Sequence, residues 1–465
     1  MVKKDAGHRR LSATLCGKSS ERGSMINLHF DSQAPPILPQ PNQRNRLLDK
    51  WLSNHDTEAP VSSNQPSLRL PFQRWFKFKE AFSPQFILDC VQSLERAPHT
   101  CLDPFGGSGT TGLTCQFLGI RPTTIEVNPF LCDLISAKLS RYDLQALQRD
   151  YLRVLAVSRA VSVKTATLLA GSPETLVEPG RDGRWIFSRD AAKHILSLRT
   201  AIDHVATDAN RSLLRVALGS ILVGLSNVVV NGKGRRYRDG WETRQKTGPD
   251  VDVAFRSAFL EIYTDLARFS ERPMMDFVLH RGDSRQLIGE SEGVDMVIFS
   301  PPYPNSFDYT DIYNLELWLL GYLRSRTDNT VLRNQTVRSH VQIKRDFSAA
   351  ELDSAELRRV YRALCRRRSE LWDHDIAEMV RAYFGDMAMI LQQIRTKLRF
   401  GGRAFLAVGN SKYAGVVIDT AKILAELAPS VGLKCVSTSP IRSMRASAQQ
   451  GGREELNESL IVFSR

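Results

Sequence analysis

The stretch Leu102-Asp103-Pro104-Phe105-Gly106-Gly107-Ser108-Gly109-Thr110-Thr111-Gly112 carries the chain from a strand pattern into a helix pattern. Its apolar lead-in ends on the carboxylate of Asp103, and residues 113–118 continue as a helix. The glycines let the backbone approach a ligand closely, and the helix N-terminus would face that ligand. A glycine-rich turn also occurs in ordinary strand-to-helix connections. The stretch predicts a nucleotide-type cofactor site.

Two further strand ends carry polar groups. Thr123-Thr124-Ile125-Glu126 is a short strand pattern whose acid follows Gly109 by 17 residues (126 − 109). A carboxylate at the end of the second strand binds ribose hydroxyls in nucleotide-binding folds. The strand pattern Val294–Phe299, apolar except for Asp295, leads into Ser300-Pro301-Pro302-Tyr303. These positions favour one shared site at the carboxyl ends of parallel strands.

The glycine turn and the Ser-Pro-Pro-Tyr loop together resemble the amino-methylating DNA methyltransferases, the S-adenosylmethionine enzymes that methylate cytosine N4 or adenine N6. The motifs of that family read Asp-Pro-Phe-x-Gly-x-Gly-Thr and Ser/Asp/Asn-Pro-Pro-Tyr, and both stand here nearly unaltered. The resemblance covers about half of the chain. It implies an α/β fold, namely a seven-stranded Rossmann-like methyltransferase sheet with two largely helical insertions, and S-adenosyl-L-methionine as cofactor.

The resemblance also implies which residues hold the cofactor. The segment before the glycine strand would fold over the methionine end, although its residues are equally suited to docking a helix. Asp283 would face the adenine amino group; by itself it reads as a strand-end turn residue. The implied cofactor-binding residues are Lys79, Phe82, Ser83, Asp103, Pro104, Phe105, Gly107, Gly109, Thr110, Thr111, Glu126, Asn128, Asp283 and Ser284.

The catalytic residues implied are Ser300, Pro301, Pro302 and Tyr303. An activated methyl donor requires mainly alignment of the acceptor, so Ser300 Oγ and the Pro301 carbonyl would accept the amine hydrogens. Tyr303 would stack on a flipped base. Serine before Pro-Pro-Tyr is more frequent among the cytosine-N4 enzymes, which favours that target. Adenine N6, or an RNA base on the same fold, remains the alternative, while cytosine C5 chemistry is disfavoured because the chain has no Pro-Cys dipeptide.

Composition limits the class of protein. The chain has 465 residues and a formal net charge of +13, which suits double-stranded DNA as partner. Its seven cysteines are scattered and never form Cys-x-x-Cys, so we expect no metal site and a reducing, cytoplasmic setting. The longest apolar stretch, residues 213–230, contains Arg215 and Asn227 and does not predict a membrane span. A cognate restriction enzyme or another defence-system protein is a further expected partner.

The chain divides into six predicted segments. These are a basic, mostly disordered arm (1–65), the first part of the core (66–140), a helical insertion and candidate target-recognition region (141–275), the catalytic part of the core (276–310), an Arg-rich helical insertion (311–382) and the C-terminal core (383–465). Strands are expected to begin at Thr100, Thr123, Phe277, Val294, Arg403, Lys434 and Glu458, and helices over residues 144–161, 189–206, 211–229, 251–269 and 383–398.

Two basic stretches are candidates for DNA binding. Residues 227–246 combine cations, aromatic rings and glycines in one predicted loop, which suits base reading and wedging into a gap left by a flipped base. A solvated basic loop is the alternative. The second stretch is an Arg-rich helix suited to phosphate contacts or to simple solvation. The candidate residues are Lys233, Arg235, Arg236, Tyr237, Arg238 and Trp241 in the first, and Arg358, Arg362 and Arg366 in the second.

Overall fold

The structure is a computed structural model that describes residues 46–53, 65–78, 80–231, 234–305, 307–445 and 455–465. Most of the predicted N-terminal arm, residues 1–45 and 54–64, lies outside this range. Inside it, Arg46–Leu52 forms helix α1, where no regular structure was expected. Trp51 is fully buried, stacks on Phe117 and donates its indole N–H to the Pro71 carbonyl at 2.9 Å. This part of the arm therefore packs on the core, because a single large ring anchors a helix too short to show periodicity.

The described residues form eleven strands. They are β1 Thr100–Asp103, β2 Arg121–Glu126, β3 Val228–Asn231, β4 Gly234–Tyr237, β5 Val278–Arg281, β6 Val294–Phe299, β7 Leu398–Gly409, β8 Ser411–Tyr413, β9 Val416–Ile418, β10 Lys434–Arg445 and β11 Glu455–Ser464. Seven of them form one sheet in the order β10-β11-β7-β6-β1-β2-β5. In this sheet β11 runs opposite to the other six strands. The predicted seven-stranded Rossmann-like methyltransferase sheet is thus confirmed.

The remaining helices are α2 Pro84–Gln92, α3 Thr110–Phe117, α4 Pro129–Leu139, α5 Leu144–Ala160, α6 Thr165–Leu168, α7 Arg189–Asp203, α8 Asp208–Leu225, α9 Gly248–Arg268, α10 Ser284–Leu287, α11 Tyr309–Ile312, α12 Asn314–Leu319, α13 Arg326–Asn334, α14 Ala355–Arg366, α15 Ile376–Lys397 and α16 Thr420–Leu427. None of the described helices is long and apolar enough to cross a membrane.

Both faces of the sheet are covered. Alternate residues of β6 show this, since Val297 and Phe299 pack with α15 and α16 while Met296 and Ile298 pack with α2 on the other face. A strand buried on both faces reads as a continuous apolar run, which is why β6 was visible in the sequence. Helices α5, α7, α8 and α9 of the first insertion pack together against α4 and share its core.

The first insertion contains a hairpin where the sequence suggested a helix end followed by a loop. Helix α8 stops at Leu225, and β3 pairs with β4 in antiparallel register, with Val228 opposite Tyr237. Three consecutive valines are stiff at χ1 and fit a strand better than the last turn of a helix.

Around the second insertion the element bounds also differ from expectation. Helix α15 begins at Ile376 rather than at residue 383, because Met379 and Val380 belong to the same buried face. Residues 335–354 contain no helix or strand. Strand β7 begins at Leu398 rather than at Arg403, and it includes Gly401, which has a φ of +81°.

Candidate active site

A cavity of about 400 Å³ opens at the carboxyl ends of β1, β2 and β6. This is the point where the strand order reverses, since the chain proceeds from β1 to β2 on one side and β6 lies on the other. Ligands bind at such switch points in open α/β sheets. The implied cofactor residues that line it are Phe82, Asp103, Pro104, Phe105, Gly107, Thr110, Thr111, Glu126, Asn128, Asp283 and Ser284. All four residues of the Ser-Pro-Pro-Tyr loop line it as well.

The glycine turn packs too closely for side chains. A Cβ on Gly106 would lie 2.3 Å from Thr124 Cγ2. Gly107 and Gly109 adopt φ values of +50° and +78°, and Gly109 caps α3 from a position that faces Ile135 rather than the cavity. Only glycine adopts this backbone path without strain. The turn therefore brings backbone amides and the start of α3 to the cavity wall.

Lys138 supports this turn, although the sequence analysis assigned it no role. It is fully buried on α4, and its ammonium donates to the Ser108 carbonyl at 2.7 Å and to Gln73 Oε1 at 3.0 Å. Burial lowers the pKa of Lys138 to about 7. A lone lysine in the largely apolar helix pattern of residues 129–139 was the available signal.

Two buried carboxylates line the cavity beside the turn. Burial raises the pKa of Asp103 to about 6, and Asp103 Oδ1 accepts from the Phe105 amide at 2.9 Å. Burial likewise raises the pKa of Glu126 to about 7, against the opposing effect of the backbone amides of Asn128, Gly107 and Val127. The Gly107 amide donates to Glu126 at 2.8 Å and the Asn128 amide at 2.7 Å. Glu126 therefore ties the turn to β2 as well as facing the cavity.

The other implied cofactor residues also have local partners. Asn128 Oδ1 accepts from the first amides of α4, and Asp283 caps α10 while forming an ion pair with Arg285. Ser284 Oγ donates to the Pro104 carbonyl. These side chains hold the ends of β2, β5 and β1 in one rim.

The segment before β1 closes one end of the cavity. Phe82 reaches it, whereas Ser83 is buried and caps α2 by accepting from the Phe86 amide. Lys79 lies outside the described residues. Phe78 also lines the cavity and stacks on Tyr313 with ring centroids 5.3 Å apart, a pair that the sequence analysis missed.

The catalytic loop is connected to the far edge of the sheet. Ser300 Oγ lies 3.3 Å from Tyr303 Oη, which donates to Glu458 Oε1 on β11. Glu458 is 3% exposed, and its other oxygen accepts from Arg442 Nε at 2.5 Å. No sequence signal indicated Glu458 or Arg442 as site residues, because they follow the loop by more than a hundred residues and belong to no motif.

Residues 335–340 of the second insertion form a further polar wall. Gln335, Thr336, Ser339 and His340 line the cavity. His340 is 1% exposed, and neither ring nitrogen has a hydrogen-bond partner among the described residues. Burial lowers its pKa to about 4, which keeps the ring neutral. No sequence pattern indicated this wall, since the segment has no regular structure.

The β3–β4 hairpin lies beside the cavity entrance. Arg235 approaches Asp311 at 3.6 Å, next to the cavity-lining Thr310. Arg236 is exposed and has no ion-pair partner among the described residues. Lys233 lies outside them.

The other DNA-binding candidates near the hairpin make contacts within the first insertion. The Arg238 guanidinium donates to two backbone carbonyls before β3, at 3.0 and 2.8 Å. Trp241 is 8% exposed and packs edge-on against Trp185 at 5.0 Å, with Tyr237 at the same distance. A wedging role does not fit the buried Trp241, whereas for the half-buried Tyr237 it stays a prediction.

The arginines of helix α14 differ in exposure and in pairing. Arg362 and Arg366 are exposed and form no ion pair with any described residue. Arg358 is bound locally, 3.5 Å from Asp353. The helix packs on α15 and α16. The exposed guanidinium groups of Arg362 and Arg366 therefore lie on the side of α14 that faces away from the sheet.

Known proteins similar to this chain are methyltransferases. The type II methyltransferase M.AvaI, from Nostoc sp. strain PCC 7120 and from Anabaena variabilis, is 26% identical over 466 aligned residues, which cover 90% of this chain and 91% of the relative. The type II methyltransferase M.BsoBI of Geobacillus stearothermophilus is 23% identical, with 87% of each chain covered. No family model matches the sequence.

Among solved structures, an rRNA methyltransferase, aviRa from Streptomyces viridochromogenes, superposes with a TM-score of 0.28 at 10% identity, covering 82% of this chain and 84% of the other. That superposition is too weak to support a conclusion. Among the described residues, no group of three or more His, Cys, Asp or Glu could hold a metal ion. The similarity to type II methyltransferases over almost the whole length, together with the sheet order, supports S-adenosylmethionine-dependent DNA methylation as the activity of this chain.

Proposed function

We propose that this protein methylates cytosine N4 in a specific duplex sequence, by flipping the base into the cavity and transferring the methyl group directly. The observation that carries the proposal is Ser300 at the end of β6, where its hydroxyl lines the same cavity as the glycine turn. Ser300 Oγ and the Pro301 carbonyl would accept the two amine hydrogens, which turns the nitrogen lone pair toward the methyl carbon. On methylation the amine nitrogen loses one of these hydrogens as a proton to water.

The cofactor-binding half of the cavity fits S-adenosylmethionine. When bound, the cofactor supplies an activated methyl group on a sulfonium, whose carbon–sulfur electrons remain on sulfur. Glu126 would bind the ribose hydroxyls. The turn at Gly107 has no side chain in the way, so the cofactor could contact the backbone there. The stacked Phe78–Tyr313 pair offers an apolar surface beside Phe82 for the methionine end. The fit is supported by the Cβ-excluding path of the turn and by the two buried carboxylates.

Target reading is assigned to the first insertion, residues 141–275, through Arg235 and Arg236. Their support is the position of the hairpin, because β4 contacts α11, whose Thr310 lines the cavity. Arginine binds guanine edges bidentately in the major groove. Arg362 and Arg366 on α14 are proposed phosphate contacts, since they are exposed and carry no ion pair with a described residue.

The partner and the compartment are part of the same proposal. Relatives named as type II methyltransferases support a cognate restriction enzyme that cuts the same sequence. A cytoplasmic location is supported by a duplex DNA substrate and by the free cysteines at positions 90, 101, 115, 132, 365 and 435.

The test is nucleoside mass spectrometry after incubation with S-adenosylmethionine. Purified protein is given unmodified duplex DNA, with total RNA in a parallel reaction. We expect N4-methylcytosine in the DNA. N6-methyladenine would overturn the choice of base, and methylation confined to RNA would overturn the choice of substrate.

A further inference from the structure

A row of four polar side chains crosses from the last hairpin to the catalytic loop. Arg442 on β10 binds Glu458 on β11, Glu458 binds Tyr303, and Tyr303 lies 3.3 Å from Ser300. Glu458 is buried at 3% exposure and lines the cavity. A buried carboxylate is costly unless it is paired and hydrogen-bonded, and here each of its oxygens has a donor.

The chemistry of Arg442 and Glu458 determines which group donates each hydrogen bond in the row. A guanidinium only donates hydrogen bonds, and an ionised carboxylate only accepts them. The single phenolic proton of Tyr303 is therefore committed to Glu458. In the contact between Tyr303 and Ser300, Tyr303 must then accept and Ser300 must donate. This uses the one hydroxyl proton of Ser300 and leaves only lone pairs on its oxygen for other contacts.

We infer that Glu458 is a positioning residue that makes Ser300 Oγ a hydrogen-bond acceptor toward the target amine. The inference rests on the proposed role of Ser300. An exocyclic amine presents N–H donors, so an accepting oxygen orients the nitrogen lone pair toward the methyl carbon. With the row reversed, Ser300 would point its proton at those N–H groups or at the lone pair itself, and either contact opposes transfer.

The substitution Glu458→Gln reverses the row at nearly constant shape. Arg442 can only donate, so it holds the amide oxygen, and the amide NH₂ then donates to Tyr303. The proton of Tyr303 turns toward Ser300, and that of Ser300 turns toward the substrate. We expect kcat to fall about 100-fold, the size of effect seen when one aligned hydrogen bond is lost from a reacting centre, with S-adenosylmethionine affinity within about twofold of the native value.

Breaking the row should do less harm than reversing it. Tyr303→Phe keeps the ring but frees the Ser300 hydroxyl to rotate, so we expect kcat to fall only about tenfold. The double variant Glu458→Gln with Tyr303→Phe should match Tyr303→Phe alone, which means that the second substitution raises kcat. A merely structural ion pair would instead make the two losses additive. The matched control is Glu292→Gln, an exposed carboxylate paired with Arg121, which should leave kcat unchanged.

Binding of S-adenosylmethionine, measured by calorimetry, checks that each variant is folded. A neutral Glu458→Gln variant, or additive losses in the double variant, would overturn the inference. Should Glu458→Gln not bind the cofactor, Tyr303→Phe alone decides, because a loss as large as that of Ser300→Ala, or no loss at all, would overturn it and a loss of about tenfold would support it. Full turnover in Ser300→Ala would instead remove the proposed function of Ser300.

Discussion

The two walls of the cavity are built differently. On the cofactor wall, the residues around the glycine turn are held by chain neighbours or by the adjoining strand end, as Glu126 is by the amides of Gly107 and Asn128; Ser284, which reaches the Pro104 carbonyl across 180 residues, is the exception. On the substrate wall, side chains meet from far apart in sequence. Tyr303 contacts Glu458 across 155 residues, and His340 comes from an insertion between β6 and β7. The glycine-turn part of the cofactor wall is thus local in sequence, and the substrate wall is assembled by the fold.

This difference implies separable functions. A wall made of backbone amides and carboxylates near one turn can hold the same nucleotide cofactor regardless of the insertions. A wall made of side chains from the last hairpin and the second insertion can change with the target base while the turn stays unchanged. Substitutions on one wall should therefore alter cofactor affinity, and those on the other should alter turnover.

The largest expected effect comes from the substrate wall. Ser300→Ala removes an acceptor for the amine and should lower kcat about 100-fold while cofactor affinity stays unchanged. Steady-state kinetics with calorimetry measures both quantities. Ser257→Ala, an exposed serine on α9, is the control and should behave as the native protein. Equal loss of turnover and cofactor binding would show that the two walls are not separable.

The matching change on the cofactor wall is Glu126→Ala. It removes the ribose acceptor and should weaken S-adenosylmethionine binding at least about tenfold, or about 1.4 kcal/mol, with kcat largely retained at saturating cofactor. Calorimetry reports the affinity, and thermal unfolding checks the fold because Glu126 also binds the turn. Unchanged affinity in a folded variant would remove Glu126 from the cofactor site.

The buried carboxylates predict a pH dependence on the cofactor wall alone. Burial raises the pKa of Asp103 to about 6 and that of Glu126 to about 7. Both carboxylates become ionised as pH rises through these values, and ionised carboxylates accept hydrogen bonds more strongly. Affinity for S-adenosylmethionine should therefore increase about threefold to tenfold between about pH 5.5 and 8. Glu126→Gln should abolish the upper part of this rise, and a flat profile in the native protein would contradict the assignment.

The smallest effects are expected at the two basic surfaces outside the cavity. Arg235→Ala with Arg236→Ala should mainly reduce discrimination between cognate and non-cognate duplexes. Arg362→Ala with Arg366→Ala should weaken binding to all sequences and lower the slope of log affinity against log salt by up to about two. Binding titrations at several salt concentrations separate the two outcomes. Full sequence preference in the hairpin variant would transfer target reading to the second insertion.

The sequence by itself determined the cofactor turn, the acidic strand ends, the Ser-Pro-Pro-Tyr loop and the seven-stranded sheet. These features are local, since a positive φ requires glycine and a strand buried on both faces requires an apolar run. Only the tertiary structure decided what each polar side chain contacts. It buried Trp241 among other rings, brought Glu458 to Tyr303 and placed a neutral His340 in the wall. Those contacts depend on how distant segments pack. A residue that belongs to no motif does not indicate in the sequence which residue it will contact.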